Sequence, residues 1–259
     1  MNRRSALTVS AAISLALGLL NGTATGTARA AEIKLLCSLS LRPAIVALIP
    51  DFEKMSGHKV TITYGTVGAV ADRIQKGETA DIAISSGSLT DQLQSQGKLA
   101  AGSRVNIAKV GVGVFVRKGS AKPDLASVDG FKRTLLSAKS IAYVDPASGA
   151  ASSIYMVSLL ERLGITAEMK QKTILSRPGV AWYASVATGE ADMGFIQISD
   201  ILDEPSVELA GPLPPEIQNY TQFAAGIVIG SSQIEAAKAL VTFLSSPSAQ
   251  TVLKSKGLE

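Results

Sequence analysis

The feature that most constrains the fold is a regular alternation of short apolar runs with amphipathic segments of helical length. Between residues 33 and 96 this pattern predicts strands over 33–37, 59–64 and 81–85 and helices over 43–55, 67–75 and 91–96. Strands that alternate with helices pair in parallel, because each crossover helix returns the chain to the same end of the sheet. The segment therefore predicts an α/β fold with helices on both faces of a parallel sheet.

A second α/β set follows a long strand predicted over 110–117. Its predicted strands are 141–144, 193–197 and 223–229, and its predicted helices are 131–137, 152–163, 234–244 and 248–254. The longest linker is the stretch 203–215. Because long strands join the two sets, we predict two lobes, each a mostly parallel sheet flanked by helices, with a ligand cleft between them. Lobe 1 comprises residues 31–112 and 222–259, and lobe 2 comprises residues 113–221.

The first 30 residues have the organisation of a signal peptide. Arg3 and Arg4 precede an apolar stretch over 6–20, and Ala28-Arg29-Ala30 has the small residues that signal peptidase requires. A membrane anchor is the alternative, but no other stretch has the roughly 18 uninterrupted apolar residues of a spanning helix. We therefore predict export and cleavage after Ala30, and the paired arginines leave both the Sec and the twin-arginine route open.

Charge and cysteine usage exclude several kinds of function. The chain carries 25 basic and 21 acidic residues, and loss of Arg3, Arg4 and Arg29 with the signal peptide leaves 22 basic residues. The mature chain is therefore nearly neutral and has no basic stripe that would predict nucleic-acid binding. Cys37 is the only cysteine and His58 the only histidine, so we expect no internal disulfide, no metal site and no cofactor.

Ligands of open parallel sheets bind beyond the carboxyl ends of the strands, in the loops that lead into helices. This rule selects five loops, at residues 37–42, 65–68, 145–152, 176–180 and 197–200. Helix N-termini in these loops would offer unpaired N–H groups and partial positive charge, which suit an anion.

Four runs of sequence resemble bacterial periplasmic solute-binding proteins of the molybdate-binding type. They are IKLLCSLSLRPAIVALIPD at 33–51, ADRIQKGETADIAIS at 71–85, YVDPASGAASS at 143–153 and GEADMGFIQISD at 189–200. They occur in the family's order, and the resemblance extends over essentially the whole mature chain. The resemblance implies a monomeric periplasmic protein with the two-lobed binding-protein fold. Such a protein captures a small anionic solute and delivers it to an ABC-type permease in the inner membrane.

The chain departs from the family's oxyanion loops at several positions. Ser40 stands at the first-loop serine, but Thr66 and Val67 replace a serine-rich loop and Gln197 replaces a tyrosine. Two of the loops also carry arginines, whose planar forks match a carboxylate, and this favours a carboxylate over molybdate. The runs SRVNI at 103–107, KPDLASVDGFK at 122–132, DPASG at 145–149 and GFIQ at 194–197 are similar to a side branch that includes aconitate isomerase.

The candidate ligand-binding residues all lie in the selected loops. They are Ser40, Arg42, Thr66, Ser148, Gly149, Ser152, Arg177 and Gln197. The alternatives are ordinary ones: the serines would be helix caps, and the arginines would be solvated surface residues.

No residue is assigned a catalytic role from the sequence. An isomerase would need a group that removes a proton next to a carboxylate. The candidates for that group are Asp145, Tyr143 and a serine activated by an arginine, whereas His58 lies in a turn away from the selected loops. We therefore predict a periplasmic binding protein for a small oxyanion, a carboxylate in particular. The alternative is an aconitate isomerase-like enzyme that interconverts cis- and trans-aconitate or a related unsaturated polycarboxylate.

Overall fold

The computed structural model describes residues 30–177 and 179–259. The predicted signal peptide falls outside these ranges except for Ala30, so its cleavage site stays a prediction.

The described residues alternate between strands and helices along the chain. The strands are β1 Glu32–Ser38, β2 Lys59–Gly65, β3 Ile82–Ser86, β4 Val105–Arg117, β5 Ile141–Val144, β6 Thr173–Ser176, β7 Met193–Gln197, β8 Val207–Pro212 and β9 Tyr220–Ile227. The helices are α1 Arg42–Ser56, α2 Val67–Gln75, α3 Gly87–Ser95, α4 Val128–Ser137, α5 Ala151–Arg162, α6 Thr166–Lys170, α7 Ala184–Thr188, α8 Ile198–Leu202, α9 Ile234–Leu244 and α10 Pro247–Ser255.

Strand β4 connects two sheets. Its first half, through Gly111, pairs with β9 in the order β2-β1-β3-β9-β4. From Val112 onward it pairs with β7 in the order β4-β7-β5-β6, and β8 joins the other edge of β4. Strands β1, β2 and β3 are mutually parallel, as are β5, β6 and β7. The prediction of an α/β fold whose sheets are flanked by helices is confirmed. Each sheet is mixed rather than mostly parallel, because β4 and its neighbours add two antiparallel pairings to the two parallel ones. The division into lobes at 112/113 and 221/222 stays a prediction.

Each sheet has its own apolar core. In lobe 1, Leu35 and Ile84 of the sheet pack with Ile45 of α1 and Leu240 of α9. In lobe 2, a second core joins α4 and α5 to the sheet, and it includes an edge-to-face pair of Phe131 and Phe195 with ring centroids 6.0 Å apart. Burial of such apolar area is the main stabilising contribution to each lobe, since no disulfide is available.

Cys37 is fully buried at the carboxyl end of β1. Desolvation by this burial raises the pKa of the thiol well above its usual range. The thiol is therefore a packing group and is unreactive near neutral pH.

Four short elements in lobe 2 were not predicted from the sequence. They are α6, β6, α8 and β8. The stretch 203–215, interpreted as a linker, contains β8, which lies against β4. Its sequence VELAGP lacks the clear alternation of apolar and polar residues that marks a half-buried strand. The segment is a strand because its backbone pairs with β4, and this pairing leaves no local sequence pattern.

Among the described residues, no helix has the length and hydropathy that crossing a membrane requires.

Candidate functional site

A cavity of about 390 Å³ lies where loops from the two lobes meet. Residues of the first, second, third and fifth loops selected from the sequence line it, together with the segment after the fourth loop. Among the predicted ligand-binding residues, the cavity is lined by Ser40, Arg42, Thr66, Ser152 and Gln197. The predicted position of the site, at the carboxyl ends of the strands, thus coincides with a cavity between the lobes.

The first loop brings a serine and an arginine to the cavity. Strand β1 ends at Ser38 and a 3₁₀ turn over Leu39–Leu41 leads into α1, whose first residue is Arg42. Arg42 is exposed and forms no salt bridge with a carboxylate of the described chain. A cation at a helix N-terminus opposes the helix dipole, so an anion beside Arg42 would be stabilising.

The second and third loops contact each other across the lobes. Thr66 caps α2 by accepting a hydrogen bond from the Ala69 amide at 3.1 Å, and its hydroxyl donates to the Ser148 carbonyl oxygen. The Gly68 amide donates to the Gly149 carbonyl oxygen at 3.1 Å. Ser148 and Gly149 are therefore engaged in contacts between the loops, and neither lines the cavity.

The N-terminus of α5 faces the cavity through Ala150, Ala151 and Ser152. Its N-cap residue is Ala150, which provides no side-chain hydrogen bond. The first amide groups of a helix have no acceptor within the helix, so they remain available for a ligand at this end. Ser152 is buried and adds a hydroxyl beside them.

Gln197 ends β7 and is 3% exposed. Its Nε2 donates to the Thr221 hydroxyl at 2.8 Å, whereas its Oε1 has no partner among the described residues. A buried polar atom without a partner is costly unless a ligand or water satisfies it. Gln197 Oε1 is therefore an acceptor that a hydrogen-bond donor, from a ligand or a water molecule, would satisfy.

The fourth loop contributes differently from the prediction. Arg177 is exposed and does not line the cavity, and the adjoining residue 178 lies outside the described ranges. The cavity wall there is formed by Trp182 and Tyr183, whose rings pack edge to face at 5.2 Å. Trp182 also packs edge to face on Phe115, with ring centroids 5.0 Å apart. The signal that could have indicated this wall is the single tryptophan of the chain, next to a tyrosine just beyond the selected loop.

Three carboxyl groups also line the cavity, at or just beyond α8: Asp200, Asp203 and Glu204. Asp200 Oδ2 accepts a hydrogen bond from the Ser40 hydroxyl at 2.8 Å, and the Ser199 hydroxyl donates to the Ser40 carbonyl oxygen at 2.8 Å. Burial raises the pKa of Asp200 to about 7, with a further increase from the charge of Asp203 and an opposing decrease from the Ser40 hydrogen bond. Asp200 is the last residue of the fifth loop, but nothing in the sequence distinguishes it from an ordinary aspartate in the first turn of a helix.

Three of the residues considered for proton transfer lie outside the cavity, whereas Ser40 and Ser152, which belong to the remaining candidate class of a serine near an arginine, line it with Arg42. Tyr143 lines a separate apolar groove of lobe 2. The Asp145 carboxylate accepts a hydrogen bond from the Ala147 amide at 2.9 Å and caps the turn. His58 Nδ1 accepts a hydrogen bond from the Ala31 amide at 3.1 Å. None of these three residues lines the cavity.

Comparison with known proteins identifies the family and agrees with the fold. A family model described as bacterial extracellular solute-binding protein matches residues 33–259. Aconitate isomerase of a Pseudomonas species is 33% identical over 254 residues, which cover 95% of each chain. The molybdate-binding protein ModA of Azotobacter vinelandii is 28% identical over 235 residues, covering 89% of this chain and 90% of the relative.

A solved structure shows the same fold. The periplasmic molybdate-binding protein of Azotobacter vinelandii superimposes with a TM-score of 0.72 at 23% identity, covering 88% of this chain and 98% of that structure. The family match spans nearly all the described residues, both sheets and the cavity between them. The chain therefore belongs to the family of bacterial extracellular solute-binding proteins.

Proposed function

We propose that the protein captures a small carboxylate anion in the cavity between its lobes and delivers it to an ABC-type permease of the inner membrane. The observation that carries the proposal is Arg42, which lines the cavity and forms no salt bridge with a described carboxylate. The uncapped N-terminus of α5 and the Ser152 hydroxyl supply further donors beside it. An arginine fork pairs with the two oxygens of a carboxylate, and backbone amides can hold a second carboxylate.

The proposal includes the cellular setting. The mature protein begins after Ala30, resides in the periplasm and acts as a monomer, with lobe 1 formed by residues 31–112 and 222–259 and lobe 2 by residues 113–221. Solute-binding proteins of this family share the extracellular location, which supports export.

Calorimetric titration of the mature protein against an anion panel tests the proposal. The panel contains molybdate, sulfate, citrate, tricarballylate and both aconitate isomers. We expect at least one carboxylate to bind with micromolar affinity or better, and Arg42→Ala to weaken it about 10- to 100-fold, the usual effect of losing a charge-assisted pair. Arg133→Ala, a surface arginine of lobe 2, is the matched control. Binding of molybdate alone, or of no carboxylate, would exclude carboxylate capture.

A second candidate function is the interconversion of cis- and trans-aconitate. It is favoured by the relative named aconitate isomerase, which aligns with 95% of this chain. The reaction removes a proton from the carbon next to one carboxylate and returns a proton to the other end of the same allylic system. Asp200 is a carboxyl group in the cavity that can accept and donate a proton near neutral pH, and Arg42 could stabilise the charge that develops on the substrate.

Proton NMR of either aconitate isomer with the mature protein tests this second function. Appearance of the other isomer, with deuterium entering the methylene position in D₂O, is the expected result. Binding of aconitate without interconversion would leave the capture role and exclude the isomerase role.

A further inference from the structure

The cavity combines a site for an anion with a cluster of carboxyl groups. Its described lining carries Asp200, Asp203 and Glu204 but only one cationic side chain, Arg42. With all four groups ionised, the lining would carry a net negative charge and would repel the carboxylate that it is proposed to capture. Protonation of one of the three carboxyl groups would reduce this repulsion when the ligand is bound.

Asp200 is the carboxyl group best placed to hold this proton. It is partly buried and receives a hydrogen bond from the Ser40 hydroxyl at 2.8 Å, but no described cation forms a salt bridge with it. Only Oδ2 has a hydrogen-bond donor among the described residues, so Oδ1 remains free for a ligand oxygen. Burial without a cationic partner disfavours the ionised form and raises the pKa of Asp200 to about 7.

The charged groups around Asp200 do not change this assignment. Helix α8 packs on β4, β7, β8 and the 3₁₀ turn before α1. On β4, Lys109 pairs with Glu259 at 3.0 Å, and Arg117 lies beside Gly189. On β8, Glu208 accepts a hydrogen bond from the Gly119 amide at 3.4 Å.

Among the charged groups of the described chain, Arg42, Asp203 and Glu204 line the cavity with Asp200. The Glu204 carboxylate accepts a hydrogen bond from the Ser206 amide.

We propose that the cavity binds its carboxylate together with one proton, which is shared between a ligand oxygen and Asp200. The inference rests on the proposed capture of a carboxylate and adds the chemical form in which the ligand is held. The proton comes from solvent, and no other bond is made or broken. A carboxyl–carboxylate hydrogen bond replaces what would otherwise be a repulsive contact at Asp200, while the Arg42 guanidinium attracts a ligand carboxylate.

The proposal fixes how binding depends on pH. Above about pH 7 the free Asp200 is ionised, so binding must take up a proton, and the dissociation constant should rise about tenfold per pH unit between pH 7.5 and 9. Below pH 7 the free carboxyl group is already protonated, so proton uptake on binding declines. A cavity that holds a fully ionised ligand with ionised Asp200 would show no proton uptake.

Calorimetric titration with tricarballylate at pH 8, in Tris and in HEPES, measures proton uptake directly. Tricarballylate is saturated, so it cannot be isomerised and contributes no heat of turnover. The two buffers differ in their heat of ionisation, and the difference between the two observed heats gives the number of protons bound. We expect close to one proton for the wild-type protein.

Asp200→Asn is the decisive variant, because the amide keeps the shape of the carboxyl group and can still accept the Ser40 hydrogen bond. It should bind tricarballylate without proton uptake and with an affinity that does not change between pH 7.5 and 9. Asp51→Asn, an exposed carboxyl group on α1, should behave as the wild type.

The possible outcomes separate this inference from the proposed function. Binding with no proton uptake in the wild-type protein, or with equal uptake in Asp200→Asn, would overturn the inference and leave carboxylate capture intact. If neither tricarballylate nor any other carboxylate of the panel binds, both proposals fail.

Discussion

The Gly68 amide donates a hydrogen bond to the Gly149 carbonyl oxygen at 3.1 Å, and this bond joins the N-terminus of α2 to the loop before α5. The two backbones approach so closely that a Cβ atom on Gly68 would lie 2.8 Å from the Cα atom of Gly149. The neighbouring Thr66 hydroxyl donates to the Ser148 carbonyl oxygen. Two glycines and a threonine thus hold the loops together beside the cavity.

Gly68→Ala should weaken ligand binding by opposing this contact. The added methyl group meets backbone rather than a movable side chain, and such overpacking costs about 1–3 kcal/mol. If this cost falls on the ligand-bound state, the affinity drops about 5- to 150-fold. Calorimetry with the best-binding carboxylate measures the change. Gly211→Ala is the control, because its Cβ would meet only the end of the Leu125 side chain. Equal affinities for Gly68→Ala and the wild type would show that the contact does not support binding.

Arg42 and Arg177 should differ in their effect on binding. Arg42 lines the cavity, whereas Arg177 is exposed and does not. Arg42→Ala should raise the dissociation constant about 10- to 100-fold. Arg177→Ala should raise it by a clearly smaller factor, since an exposed charge acts on the ligand through solvent. A larger loss for Arg177→Ala would show that the fourth loop moves into the site on binding and would restore the prediction made from the sequence.

Asp203→Asn should shift the pH dependence of binding. The charge of Asp203 contributes to the raised pKa of Asp200, so its removal should lower that pKa. Proton uptake would then begin at a lower pH, and the dissociation constant would start to rise at a lower pH than in the wild type. A pH series of titrations measures the midpoint. An unchanged midpoint would mean that Asp203 and Asp200 do not interact in solution.

Asp200 should also make the free energy of unfolding depend on pH. Its pKa in the folded protein is raised above that of the unfolded chain, so the folded state holds the proton more tightly. The contribution of Asp200 to the free energy of unfolding is therefore largest below about pH 4, and it is lost as the pH rises from about 4 to 7. Asp200→Asn should remove this dependence and stabilise the ligand-free protein by about 1–3 kcal/mol at pH 8, and by less at pH 5.5. Urea unfolding at the two pH values measures both differences, and a destabilised variant at pH 8 would contradict the account.

Much of the fold could be predicted from local pattern. The mainly apolar runs that become β1, β5 and β7 are short and bounded by polar or turn residues, so pattern and length suffice to identify them. Strand β8 could not be identified in this way, because its position depends on pairing with β4, which lies about ninety residues earlier in the chain.

The cavity was predicted in part. Ser40, Thr66 and Gln197 lie in loops that the topology of parallel sheets selects, and the structure brings these loops together. The role that we assign to Asp200 could not be predicted, since it depends on burial and on a hydrogen bond from Ser40, 160 residues away in the sequence. The contact between Gly68 and Gly149 likewise has no local signal, because it exists only when the two lobes are assembled.

A crystal structure of the mature protein with bound tricarballylate tests the central claim most directly. We predict one ligand carboxylate within hydrogen-bonding distance of the Arg42 guanidinium and another ligand oxygen close enough to Asp200 to share a proton with it. A ligand bound outside this cavity, or held in it with Arg42 turned to solvent and Asp200 out of contact, would contradict the account.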